Sequence, residues 1–429
     1  MAKPTLALIP ASQGSKVFSV LPSSGVGDFD FSRGSAATRI NSQGLIENVV
    51  SGQSRLEYPL IDGVVNGCPS LLLEPQRTNL VTYSEDFSNA YWTKGGSSIV
   101  INNAISPDGS LNADKLVEDT STGGHFLYKQ LTTTALSTYT ASVFAKVGEN
   151  DFIILQDPFS SGNPRQWFDL NNGILGTGTN ISNASIIPFG NGFYKCTVTW
   201  VISSTNGGLG INTSKLDNST SYTGDGTSGV YIYGAQLEEA SYPTSYIPTN
   251  GTTVTRLAET ANGAGDATTF NDSEGVLMVE ISALDNDLTL RQISLSDGTL
   301  SNQLVIYYGN GSNKIFYYLS VGGVAQVNDS VIISDIVSFN KIAFKYKQND
   351  FALWINGVNL LSDSSGNTYS ASTLSELNLT NGQGSGDYFY GKTKQIQYFQ
   401  TALTDSELEQ LTSWISFTDM ANGQLYTIE

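Results

Sequence analysis

Apolar and polar residues alternate along most of this chain, and a period of two is that of strands buried on one face. Residues 138–147 put Tyr139, Ala141, Val143, Ala145 and Val147 on one side. Residues 193–202 do the same with Tyr194, Cys196, Val198, Trp200 and Ile202, and residues 230–237 with Tyr231, Tyr233, Ala235 and Leu237. Gly, Asn and Ser separate these runs, as turns between antiparallel strands require. The prolines of residues 241–248 lack a donor and exclude a central strand there. That stretch reads as an extended exit segment, followed by a linker around residues 259–266.

A second set of strands follows. It comprises residues 275–281, a hairpin over 303–319 turning at 309–313, and 341–347 with Ile342, Phe344 and Tyr346 inward and the lysines outward. Residues 351–355 then run into Asn356-Gly357, a strong hairpin signal. One short helix is marked by Thr404 as N-cap, Glu407 as its capping-box partner and Leu403 with Leu408 as a hydrophobic staple.

Residues 1–68 differ from the rest, because their apolar pieces are short and broken by Gly, Ser and Pro. They predict an extended arm that orders on a partner or on the next domain, with a flexible linker as the alternative. The expected fold is all-β: two antiparallel β-sandwiches (jelly rolls) in tandem behind that arm, with one short helix near the C-terminus. The expected divisions are 1–68, 69–259 and 266–429.

Composition narrows the function. Only 14% of the 429 residues are charged, against roughly 25% in ordinary globular proteins, so Ser, Thr, Asn and Gly must build the surface. At 39% hydrophobic with regular alternation, the chain is not disordered. A net charge of −18 repels phosphate backbones and anionic membranes, which argues against a nucleic-acid partner. No apolar run approaches the roughly 20 residues of a membrane helix, so no membrane insertion is expected. Cys68 and Cys196 make no disulfide framework; two buried free thiols are expected, with a single bridge as the alternative.

Several stretches carry a family resemblance. Phe29-Asp-Phe-Ser-Arg-Gly-Ser-Ala-Ala-Thr-Arg-Ile40 and Cys68-Pro-Ser-Leu-Leu-Leu-Glu-Pro-Gln-Arg-Thr-Asn-Leu80, closing with Gly234-Ala-Gln-Leu-Glu-Glu239 and Ser245-Tyr-Ile-Pro-Thr249, resemble the phage head-spike or fibre domain, whose central part looks like a carbohydrate-binding jelly roll. Residues 341–357 and 394–405 are similar to concanavalin A-like (laminin-G/pentraxin) sandwiches. The resemblance implies a structural virion appendage of a bacteriophage, a head fibre, spike or decoration protein. It would be made in the host cytoplasm and exposed on the particle surface. The arm, through Phe29, Phe31, Arg33 and Arg39, would attach to other virion proteins of the capsid or tail. The projecting sandwiches would adhere to host-surface polysaccharide. A tail-fibre receptor-binding lectin and a polysaccharide-degrading enzyme are the other readings. Fibres of this kind are often homotrimers, though no coiled-coil heptad specifies one here.

No catalytic residue is assigned. His125 is the single histidine and reads as structural; no Ser/His/Asp arrangement and no multi-histidine zinc site follows from it. Glycosidase chemistry needs two carboxylates, but Glu238 and Glu239 are adjacent on a strand and face opposite sides. No cofactor is required. Sandwiches of the resembled types often hold structural calcium, for which Asp108, Asp114 and Glu238 are candidate ligands, solvated turn acids being the alternative. Glycan contacts are assigned to Trp92, Trp167, Tyr222 and Tyr388, which lie beside polar loop residues.

Overall fold

A computed structural model of the chain describes residues 3–413. The all-β architecture is as the alternation predicts, with antiparallel sheets and the one helix, Asp405–Ser413. One sandwich faces two six-stranded sheets. The first runs in the order Thr93–Gly95, His125–Thr132, Asn206–Ser214, Phe152–Gln156, Arg165–Asp169, Ile174–Thr179. The second runs Ser97–Ile105, Leu111–Glu118, Gly229–Glu238, Ser137–Lys146, Tyr194–Ile202, Asn183–Pro188. Their inner faces bury Tyr139, Ala141, Val143, Cys196, Val198 and Trp200, as the sequence pattern requires.

Strand Gly229–Glu238 departs from strict alternation. Val230 and Ile232 face the core before Gly234, and Ala235 and Leu237 after it. Gly234 has φ +65°, and the pairing with Ser137–Lys146 shifts register between Ser142 and Phe144. This bulge turns Tyr233 to the opposite face, against Phe144 and Tyr246.

The second sandwich places a five-stranded sheet (Val324–Ile332, Lys314–Val321, Gln303–Tyr308, Arg291–Ser296, Glu376–Asn378) opposite an eleven-stranded one. Here the expected division of the chain needs correction. Residues 1–68 are no free arm, because Leu6–Gln13 pairs with Gly391–Phe399, and Lys16–Leu21 and Phe29–Ser32 extend the same sheet. Arg55–Glu57 joins it through Ser70–Leu73. The pieces are too short to make a sheet of their own, but a long partner strand satisfies their backbone groups and buries Leu6, Leu8, Val17, Phe29 and Phe31. The expected linker at 259–266 is also structured. Thr260–Asn262 pairs with Phe29–Ser32, and Glu259, Ala261 and Ala264 are buried.

The jelly roll is thus an insertion. The chain leaves the larger sheet after Ser70–Leu73, builds the jelly roll, and returns through Val254–Arg256 to Thr260–Asn262. A two-stranded neck, Arg77–Asn79 against Val254–Arg256, closes the insertion.

The C-terminal helix caps the outer face of the larger sheet. The Thr404 backbone N–H donates to the Glu407 carboxylate at 3.0 Å, and Leu403, Leu408 and Leu411 pack on Val276, Met278 and Trp354. The last stretch of the expected 266–429 division, residues 414–429, lies outside the described residues.

Candidate functional site

The outward face of the first jelly-roll sheet gathers aromatic and amide groups in register, the rings of Phe126 and Tyr128 half-buried and the amides of Gln156 and Asn212 buried. Leu127, Ile211, Leu155 and Phe168 point into the core, so their sequence neighbours point out. One outward row runs Tyr128, Gly210, Gln156, Arg165; the next runs Phe126, Asn212, Ile154, Trp167. Glycines let neighbouring side chains lie flat on this face. A Cβ on Gly208 would lie 2.6 Å from the Phe159 ring, so only glycine lets that ring settle on the sheet. A Cβ on Gly210 would stand 3.0 Å from Gln156 Cγ.

The result is a half-buried aromatic patch. The Phe126 and Tyr128 ring centroids are 5.7 Å apart, and Phe159 meets Tyr128 edge-on at 5.5 Å. Beside it Gln156 Nε2 donates to Asn212 Oδ1 at 2.9 Å, and Gln130 stands exposed at the patch edge. Apolar ring faces next to fixed amides suit a ligand with both C–H faces and hydroxyls.

The aromatics assigned from sequence fall elsewhere. Trp92 is 2% exposed, packs in the core against Phe87, and donates its indole N–H to Tyr83 O at 3.0 Å. Trp167 shares the outward face but is 1% exposed, because the loop carrying Ser219 covers it and accepts its N–H. Tyr222 is half-buried against His125, ring centroids 4.6 Å apart. Tyr388 is half-buried beside Tyr390 on the other sandwich. The four do not form one surface. Phe126, Tyr128 and Phe159 were missed, although the alternation of 125–132 and the Gly-x-Gly of 208–210 signalled an open outward row.

The proposed calcium ligands do not converge on one point, although the Tyr233 hydroxyl bonds both Asp108 and Glu85 of the cleft that Asp114 lines. Asp108 accepts from Ser106, Ser110 and Asn112 within its own turn. Glu238 accepts from Gln236 Nε2 at 2.8 Å and from the Thr244 backbone and hydroxyl. Asp114 lines a cleft of about 450 Å³ with Glu85, Asp86 and Asn250, where burial pushes its carboxyl up to about 6 against N–H bonds from Asn102 and Phe87. Among the described residues no group of three or more Asp, Glu, His or Cys side chains is placed to hold a metal.

Glu239 receives the Tyr139 and Thr134 hydroxyls, away from the Glu238 network. His125 is fully buried, its Nδ1 2.5 Å from Gly96 O and its Nε2 3.2 Å from Tyr222 O. Cys196 is a buried free thiol, whereas Cys68 is free and exposed, so the expectation of two buried thiols holds only for the first.

The attachment residues are largely internal. Phe29 and Phe31 belong to the core of the larger sandwich. Arg33 donates to Glu259 at 2.6 Å inside the neck; Arg39 alone reaches the surface, paired with Glu47 at 2.9 Å.

No protein-family model and no curated protein sequence matches this chain. Among solved structures it is similar to the CBM40 of the Ruminococcus gnavus IT-sialidase, with 17% identity over 35% of this chain and 88% of that one, TM-score 0.31. Domain 4 of AbnA, a GH43 extracellular arabinanase from Geobacillus stearothermophilus in complex with arabinotriose, is 11% identical over 41% and 84%, TM-score 0.30. Domains LG4-5 of the mouse laminin α1 chain are 8% identical over 67% and 92%, TM-score 0.24. At these levels the likenesses assign neither a ligand nor a residue role.

Proposed function

We propose that this chain is a non-enzymatic, glycan-binding appendage of a bacteriophage particle. The observation that carries the binding role is the outward patch of Phe126, Tyr128 and Phe159 beside the Gln156–Asn212 amide pair. Half-buried rings held rigidly by a sheet stack on sugar faces at little conformational cost, and the amides meet hydroxyls. The segments resembling phage head-spike and fibre domains support the particle assignment. In this reading the jelly roll projects from the neck and the second sandwich serves as its base.

The test is calorimetric titration of the whole chain with oligosaccharides from host surface polysaccharide. Tyr128→Ala should weaken binding at least about tenfold with an unchanged melting temperature, as the loss of one ring contact of about 1.4 kcal/mol would. Absence of binding by the unaltered chain would overturn the lectin role, and release of reducing ends would overturn the non-enzymatic one. Immunogold labelling of particles tests the virion assignment and separates head from tail.

A further inference from the structure

We infer that the glycan taken by this face is anionic and that Arg165 reads its charge. The inference rests on the glycan-binding reading above. Arg165 occupies the same outward row as Tyr128, opposite Gln156. Three strand spacings separate Arg165 from Tyr128, about 14 Å, the reach of a short oligosaccharide.

Its surroundings differ from those of the other arginines. Arg33, Arg55 and Arg256 are paired with glutamates, Arg39 with Glu47, and Arg291 with Asp287. Arg77 donates to the Gln76 carbonyl. Among the arginines, all of which lie in the described residues, only Arg165 has neither an ion pair nor a hydrogen-bond acceptor, in a chain of net charge −18. Its Nε is buried without a partner, as are those of Arg77, Arg256 and Arg291, but its whole guanidinium lacks an acceptor, and the guanidinium carbon lies 5.3 Å from the centre of the Trp167 ring.

These facts fit a pre-set anion site. Stacking on an indole holds the guanidinium without using its N–H donors. A buried donor left unpaired is unfavourable until an acceptor arrives, and a planar fork suits a carboxylate or a phosphate in a two-point bond. Trp167 becomes a positioning residue rather than a sugar-stacking platform, which accounts for its cover and for the N–H anchored on Ser219. Arg165 is the one charged side chain of the row Tyr128, Gly210, Gln156, Arg165, so discrimination between charged and neutral glycans along that row rests on it.

The experiment uses the whole chain and three probes: an oligogalacturonide, the same oligomer with its carboxyl groups reduced to alcohols, and a glycerol-phosphate polymer. The expected result is binding of at least one anionic probe at least tenfold tighter than of the neutral oligomer. Arg165→Gln should erase that difference while leaving neutral-oligomer binding and the melting temperature unchanged, and Arg165→Lys should restore part of it. The two anionic probes distinguish carboxylate from phosphate as the group recognised. Equal binding of charged and neutral oligomers, or an Arg165→Gln chain that keeps its preference, overturns the inference while glycan binding stands. No binding of any probe or host oligosaccharide overturns both.

Discussion

Arg55 and Glu259 are 204 residues apart in sequence and lie side by side at the neck, with Arg55 Nε donating to one carboxylate oxygen at 2.9 Å and a terminal N–H to the other. Neither side chain is exposed. Arg33 reaches the same carboxylate at 2.6 Å, while Glu74 accepts from both Arg55 and Arg256 at 2.8 Å. Three arginines and two glutamates thus join the N-terminal strands, the entry to the jelly roll and its exit. Burial by itself would raise the Glu74 carboxyl. Arg256 and Arg55, with hydrogen bonds from Ser245, instead hold it well below the usual carboxylate range.

Breaking this cluster should be costly. Glu259→Gln leaves Arg33 as an uncompensated buried charge and Arg55 with Glu74 alone, and the expected loss in denaturant unfolding is about 3–5 kcal/mol. A loss below about 1 kcal/mol would show that the neck does not depend on the pair. Because the folded Glu74 value is depressed, its contribution is complete above the unfolded value of 4.5 and is lost as pH falls below it.

Removal of residues 1–68 should destabilise the chain rather than release a folded remainder. The deletion strips Leu6–Gln13 from Gly391–Phe399, removes five side chains from the core, and leaves Glu74 and Glu259 without two of their arginines. The expected outcome is an insoluble product or a clearly lowered melting temperature. A soluble product melting like the whole chain would restore the idea of a separable arm.

Asp114 should make stability fall as pH rises through the mildly acid range. Its folded value of about 6 exceeds the ordinary 3.8, so the folded state keeps a proton that the unfolded chain loses across that window. Two pH units correspond to no more than about 3 kcal/mol. Unfolding followed between these limits should show a decline that Asp114→Asn flattens; an identical slope in the variant would place the titration elsewhere.

Trp200, fully buried between the jelly-roll sheets, should cost about 3–5 kcal/mol when replaced by alanine. Leu136, 79% exposed, serves as the control, and its replacement should stay within about 0.5 kcal/mol. Similar losses at both positions in chemical denaturation would contradict the register of strand Tyr194–Ile202.

Alternation, turn residues and capping signals are local, and the sequence alone determined what they govern: the β class, the inward faces of Ser137–Lys146 and Tyr194–Ile202, and the helix after Thr404. Alternation also marked Phe126 and Tyr128 as outward, but it does not say which outward rows become neighbours. Strand order across the sheet decided that, bringing Arg165 into line with Tyr128 from 37 residues away. The N-terminal segment shows the same limit. Its strands are too short to be stable alone, and only the Gly391–Phe399 edge, more than 300 residues downstream, supplies the backbone partners and apolar cover that make them strands. Burial of Arg33, Arg55 and Arg256 likewise had no local sign, since a buried cation needs a carboxylate that folding brings from a distant part of the chain.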